Sequence, residues 1–229
     1  MNLIITTNKI VTKTLINKNK FVEYYSDANY EEYISNKLVN MKIIIIKNED
    51  DFYDNVAYFI DKYNPTKIFL AGFCTATNNF YKNGDIIIPS ELCVLMGSPT
   101  TWDSKKKLPS IKANKSIISK LKIFAEIASL DLYINKNITI KNQINAKAYK
   151  RWIHKNYLAS SIDTNIYTVA EMLQKVNIPI VTILSVNKTY NNNKQSSKFG
   201  LFKLLSKDLG PSETISKFLE TYSLSEKND

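Results

Sequence analysis

Few residue types here can do acid–base, nucleophilic or metal chemistry, so those few are taken first. There is one histidine, His154, and two cysteines, Cys74 and Cys93, none of them spaced as metal ligands. His154 has no sequence neighbour that would orient its ring, so it reads as a packed or surface histidine. Arg151 is the single arginine and lies beside Trp152 and His154 in a helical pattern. A phosphate clamp draws on several guanidinium forks, which this chain lacks. The stretch IFLAGFCTATNNFYKNGDIIIPSEL, residues 68–92, is more informative. An apolar run ends at Gly72, a polar loop carries Cys74, Thr75 and Thr77, and Gly84-Asp85 opens a second apolar run. Gly84-Asp85 reads as a turn, and Cys74 as a small buried thiol. Further on, Asp163 stands where it would cap the next helix.

The elements that must position these residues follow from hydrophobic periodicity. Near-continuous apolar runs at 3–6, 41–46, 67–71, 85–89, 131–134 and 180–186 read as strands covered on both faces. Between them, Phe52, Val56, Phe59, Ile60 and Tyr63 recur at helical spacing before Pro65, with Asp50 and Asp51 at the start. Ile117, Ile118, Leu121, Phe124, Ala125 and Ala128 mark a second helix, residues 164–176 a third, and Pro211 opens a C-terminal one. Strands alternating with helices predict a three-layer α/β sandwich with a central mixed, largely parallel sheet, in one domain over residues 1–229. Residues 188–198 and 97–107 read as exposed loops, the latter anchored by Trp102.

Composition bounds the partners. The 229 residues carry a net charge of +10, which raises a nucleic-acid hypothesis. Yet the basic residues are almost all lysine, and lysine, asparagine and isoleucine are abundant together, as an AT-rich coding bias produces. Bidentate recognition of phosphate and guanine favours arginine, so RNA binding ranks last among the readings. No apolar run has the length of a membrane span, and residues 1–9 lack a secretory pattern. A cytoplasmic protein without metal or cofactor is the expectation.

Three pieces in order resemble the purine nucleoside phosphorylase and nucleosidase superfamily, which includes methylthioadenosine/S-adenosylhomocysteine nucleosidase. The first is the helix at 51–63, Asn64-Pro65-Thr66, and the strand into Ala71-Gly72. The second is Lys82-Asn83-Gly84-Asp85-Ile86-Ile87-Ile88-Pro89, similar to the family's x-x-G-D-V-V-V-P strand. The third is Ile162-Asp163-Thr164-Asn165, its helix, and Val176-Asn177-Ile178-Pro179 with the strand after it. The resemblance covers residues 40–190. It implies a nucleoside pocket formed by Gly72, Cys74 and Thr75, by Thr164 and Asn165 at the ribose, and by Asn187 and Lys188 near the base. It also implies a homodimer or larger assembly.

The departures bear on activity. Cleaving an N-glycosidic bond passes through an oxocarbenium-like sugar and needs a proton donor for the departing purine. By the resemblance, the ribose-binding glutamate falls on Asn165, and the purine-protonating acid on Lys188 after Asn187. The loop 5–9 supplies no acid, the family's loop glycines become Phe73, Cys74, Thr75 and Thr77, and its G-x-G loop is absent from residues 47–50. Asparagine bonds a hydroxyl but is no base. The substitute catalysts are Asp163, if its segment is extended, and Lys188. The expectation is a protein that binds a purine-nucleoside-like ligand, with hydrolysis favoured over phosphorolysis if it turns over. The alternative is a catalytically degenerate binding or scaffold relative.

Overall fold

The computed structural model describes residues 1–48, 52–142, 144–191 and 209–225. Asp50, Asp51 and residues 192–198 of the expected loop lie outside them. In chain order the elements begin β1 (Asn2–Thr6), α1 (Lys9–Lys18), β2 (Phe21–Ser26), β3 (Tyr30–Ser35), β4 (Met41–Ile46) and α2 (Phe52–Tyr63). Next come β5 (Lys67–Ala76), β6 (Ile86–Leu95), β7 (Ser110–Lys112), α3 (Lys115–Ile127), β8 (Leu132–Ile140) and α4 (Lys147–Tyr157). The last are β9 (Ala159–Asp163), α5 (Ile166–Leu173), β10 (Ile180–Lys188) and α6 (Pro211–Ser225).

Alternation along the apolar strands divides the core between two faces of one sheet. Ile4, Ile43 and Ile45 enter one core; Leu3, Ile5, Ile44 and Ile46 enter the other. Helices α1, α3 and α6 cover the first through Val11, Leu15, Leu121, Phe218 and Leu219. Helices α2 and α5 cover the second through Val56, Phe59, Val169 and Leu173. The result is the expected α/β arrangement, helices on both faces of a mixed sheet. Strands β4, β1, β5 and β10 run parallel side by side.

The sheet has a feature that periodicity does not announce. β10 pairs with both β5 and β6, β6 pairs with β8, β8 with β9, and β9 returns to β5. Five strands thus close into a ring, while β1, β4, β3 and β2 continue outward as an open sheet. Several strands also outrun their sequence signal. β6 continues past Pro89, where the ladder with β8 shifts register between Pro89 and Glu91. A proline has no N–H to give the ladder, and a shift there absorbs the loss. β8 runs on through Asn135, Lys136 and Asn137 to Ile140. Helix α1, absent from the sequence expectation, starts at Asn8, whose side chain accepts from Ile10 N at 3.0 Å. Among the described residues no helix is long and apolar enough to cross a membrane.

Candidate functional site

At the carboxyl ends of β1, β9 and β10, beside the middle of β5, lies a cavity of about 320 Å³. Ligands in α/β sheets gather at such strand ends. Of the residues that the resemblance assigns to the pocket or to catalysis the cavity gathers all but one: Gly72, Cys74, Thr75, Asp163, Thr164, Asn165 and Asn187 line it. Lys188 is not among its lining residues. The ladder with β5 shifts register between Val186 and Lys188, setting Lys188 opposite Thr75. Lys188 instead acts on Lys150, a fully buried lysine whose Nζ donates to the Tyr190 carbonyl at 3.3 Å. Burial, then the charges of Lys188 and Lys147, pull the Lys150 pKa below its ordinary value.

Each wall has a local cause. At Gly72 a Cβ would stand 2.6 Å from Ile166 Cδ1 and 3.3 Å from Leu184 Cδ2, so the missing side chain lets the first turn of α5 close onto β5. Cys74 is buried, and that burial, reinforced by the charges of Asp163 and Asp85, pushes its thiol pKa well up. The thiol stays protonated and is no nucleophile at neutral pH.

Asp163 ends β9, two residues ahead of Asn165, the cap position of α5. Its Oδ1 accepts from Asn165 N at 2.8 Å and Ile166 N at 2.6 Å, which anchors the turn that leads into the helix. Thr139 Oγ1 donates to the same carboxylate at 3.0 Å, and the buried Asn137 amide donates to Oδ2. Asn137 in turn accepts from Ser161 Oγ at 2.7 Å, so two neighbouring strands are stitched through one acid. Burial raises the carboxyl pKa, while the bonds from Asn137, the Ile166 N–H, Thr139 and the Asn165 N–H pull it back part of the way. Among the described lining residues Asp163 is the one carboxylate. Asn165 Nδ2 donates to Thr7 Oγ1 at 2.8 Å, tying the start of α5 to the loop after β1.

The sequence did not single out the other walls. Thr6, Thr7 and Asn8 come from that loop, and Asn142 and Ile144 from the segment after β8. An asparagine just ahead of a helix start was the usable signal for Asn8; hydrophobicity alone gave none for Ile144. His154 lies off the cavity, its Nδ1 3.0 Å from the Ala159 carbonyl and 3.4 Å from Asn78 Nδ2. Among the described residues no group of histidine, cysteine and carboxylate side chains is arranged to hold a metal ion.

No family model matches the chain, and no curated protein matches it by sequence. Solved structures do match it in fold. The native futalosine hydrolase of Helicobacter pylori aligns with a TM-score of 0.71 at 15% identity, over 98% of this chain and 97% of that one. A mutant methylthioadenosine nucleosidase of the same organism, with 5'-methylthioadenosine in its active site, gives 0.70 at 15% identity over 98% of each chain. A putative methylthioadenosine nucleosidase from Weissella paramesenteroides gives 0.71 at 11% identity, over 98% of this chain and 99% of that one. The chain therefore has the nucleoside phosphorylase/nucleosidase fold.

Proposed function

We propose that this chain is a nucleosidase-like protein that binds a purine-nucleoside-like ligand in the cavity beside Gly72, as a binding protein and not an efficient hydrolase. The observation that carries this reading is the lining itself: hydroxyl and amide side chains from separate segments around one space. Thr75, Thr164, Asn165 and Asn187 offer donors and acceptors suited to sugar hydroxyls and the edge of a base. Phe73, Ile140 and Ile144 supply apolar surface for a ring face. The one carboxylate, Asp163, already accepts from four groups, two of them the backbone donors of a helix start.

The test is calorimetry with adenosine, methylthioadenosine, S-adenosylhomocysteine and inosine. At least one should titrate to a single saturable site; silence from folded protein across the panel sinks the reading. Chromatography of the same mixtures at high protein concentration should show no release of free base.

One observation favours a second reading, hydrolysis through Asp163. A half-buried carboxyl whose pKa is raised holds a proton at higher pH than usual, which suits a donor to a departing purine nitrogen while water adds to the sugar carbon. Base release that is lost in Asp163→Asn, with the fold intact, would select this reading over the first. Lys188 retains a role there only if Lys188→Met lowers the same turnover. We place the protein in the cytoplasm as a homodimer, which light scattering at micromolar concentration checks through the mass.

A further inference from the structure

A second cavity of ligand size lies away from the first, at the start of β10. It measures about 370 Å³ and sits between β7, α3 and the end of α5. Pockets that take a small molecule start at roughly 300 Å³. No residue of its described wall belongs to the cavity beside Gly72.

Its origin is a gap in the sheet. Leu184 and Ser185 of β10 pair with Ile87 and Ile86 of β6, and there the antiparallel ladder ends. Further along β6, Glu91, Leu92 and Cys93 pair with β7 instead, and Ala113 N donates to the Ser90 carbonyl at 3.1 Å. Ile88 and Pro89 fall between these two partners, and both line the cavity. The Pro179 carbonyl accepts from Ile68 N on the β5 side, whereas Val186 N donates to the Asp85 carbonyl on the β6 side. Even-numbered residues of β10 thus turn their main-chain groups toward β6. Thr182 is one of them and lines the cavity. Continuing the ladder would set Thr182 against Pro89, which has no N–H to give the Thr182 carbonyl.

The floor of the gap is apolar. Ile88, Leu92, Ile118, Leu121 and Val181 are buried there. Among the described wall residues Lys112 is the one charged group, and it is exposed at the rim. A charge on the floor would have no partner, so the space favours a neutral molecule. Only Ile180 and Thr182 turn main-chain groups toward the gap, a shorter edge than the about five or six residues of an ordinary strand. That weighs against an added peptide strand.

We propose that this gap is a second ligand site, separate from the cavity beside Gly72, for a compact neutral molecule whose apolar body packs on the floor and whose N–H donates to the Thr182 carbonyl. The test uses a matched pair, N-methylcyclohexanecarboxamide and methyl cyclohexanecarboxylate, which share a shape and differ by one N–H replaced by oxygen. Binding is followed by NMR on protein labelled at the isoleucine δ1 methyls, with Ile117→Val and Ile180→Val assigning one signal from α3 and one from β10. The amide should shift both signals with a Kd of about 1 mM, ordinary for a ligand of its size. The ester should bind at least about fivefold more weakly. Ala113→Leu adds bulk at the half-buried mouth and should weaken the amide by about tenfold or more. If that variant does not fold, the matched pair and the two methyl signals decide without it. Equal affinity for amide and ester, binding that leaves either signal in place, or silence at about 10 mM amide overturns the site. Shifts of both signals on raising the protein concentration alone would show a second copy over the gap, and would overturn it too.

Discussion

Replacing Asp163 by alanine tests whether this acid is above all a structural anchor for the turn into α5. The loss has separable parts. The turn into α5 loses its acceptor for Asn165 N and Ile166 N, worth about 1 kcal/mol. The Thr139 hydroxyl and the buried Asn137 amide are left without this acceptor, at roughly 1–3 kcal/mol each. Some relaxation is available, because Thr139 Oγ1 keeps its bond from Tyr167 N. The expected total is about 3–5 kcal/mol, a large part of the 5–15 kcal/mol that roughly spans domain stabilities. Urea unfolding followed by circular dichroism measures it. Thr139→Val removes one partner, and the pair of changes should cost about 1 kcal/mol less than the sum of the singles. The pH profile adds a sign. Because burial raises the folded-state pKa, the native protein takes up this proton first. Wild type should therefore gain stability over Asp163→Asn as pH falls from 7 toward the unfolded carboxyl value near about 4. A cost below about 1 kcal/mol for Asp163→Ala, with additive double-mutant energies, refutes the anchor and its network together.

Gly84→Ala should destabilise more than Gly72→Ala, by at least about 2 kcal/mol, as thermal unfolding would report. Gly84 has φ +93° and its new Cβ would meet the Leu209 carbonyl, whereas at Gly72 the obstacle is the movable end of Ile166. Acid titration should expose Glu31. Burial works against its charge, but the Lys9 ammonium at 2.7 Å, the Tyr33 hydroxyl and Lys47 at 3.3 Å hold its carboxyl below the usual range. Stability from this group is present above the unfolded value and is lost as pH falls through the folded one. Glu31→Gln should flatten that fall by about 1 kcal/mol below pH 4.5, measured by urea unfolding across pH. Lys188→Met should leave nucleoside affinity within about twofold, because the cavity walls do not include Lys188; a tenfold loss by calorimetry, near 1.4 kcal/mol, would return it to the site.

What was legible in the sequence follows from which physical signals leave a pattern in residue order. The strands 3–6, 41–46 and 180–186 lie under helices on both faces, so their apolarity is continuous and visible. The second half of β8 hides because Asn135, Asn137 and Thr139 face polar partners: Asn137 and Thr139 serve Asp163, and Asn135 Nδ2 donates to Tyr81 Oη at 2.7 Å. The hairpin of β2 and β3 hides for another reason. β2 is exposed along most of its length, and Val22, Tyr24 and Tyr25 face solvent where an apolar alternation would be sought. At the site, it was the resemblance to a known superfamily that grouped Gly72, Asp163, Asn165 and Asn187 around one space. Spacing says nothing of a register shift, so the departure of Lys188 from the wall was not readable. Nor was the burial of the Trp102 indole nitrogen, which depends on the packing of α4 against a distant loop.

The closed ring of five strands sets an order for synthesis. β5 and β6 emerge from the ribosome long before β10, the strand that bridges them. Until Ile180–Lys188 has been made, both present ladder edges with nothing to pair, and β5 carries a long apolar run on such an edge. Domains otherwise tend to fold from the amino end as they emerge. Here the cavity beside Gly72, whose walls include Asn187, comes into being only once β10 has been made. Nascent chains halted before residue 180 should therefore be sticky, holdase-bound species without the closed cavity, however much of the outer sheet has already formed.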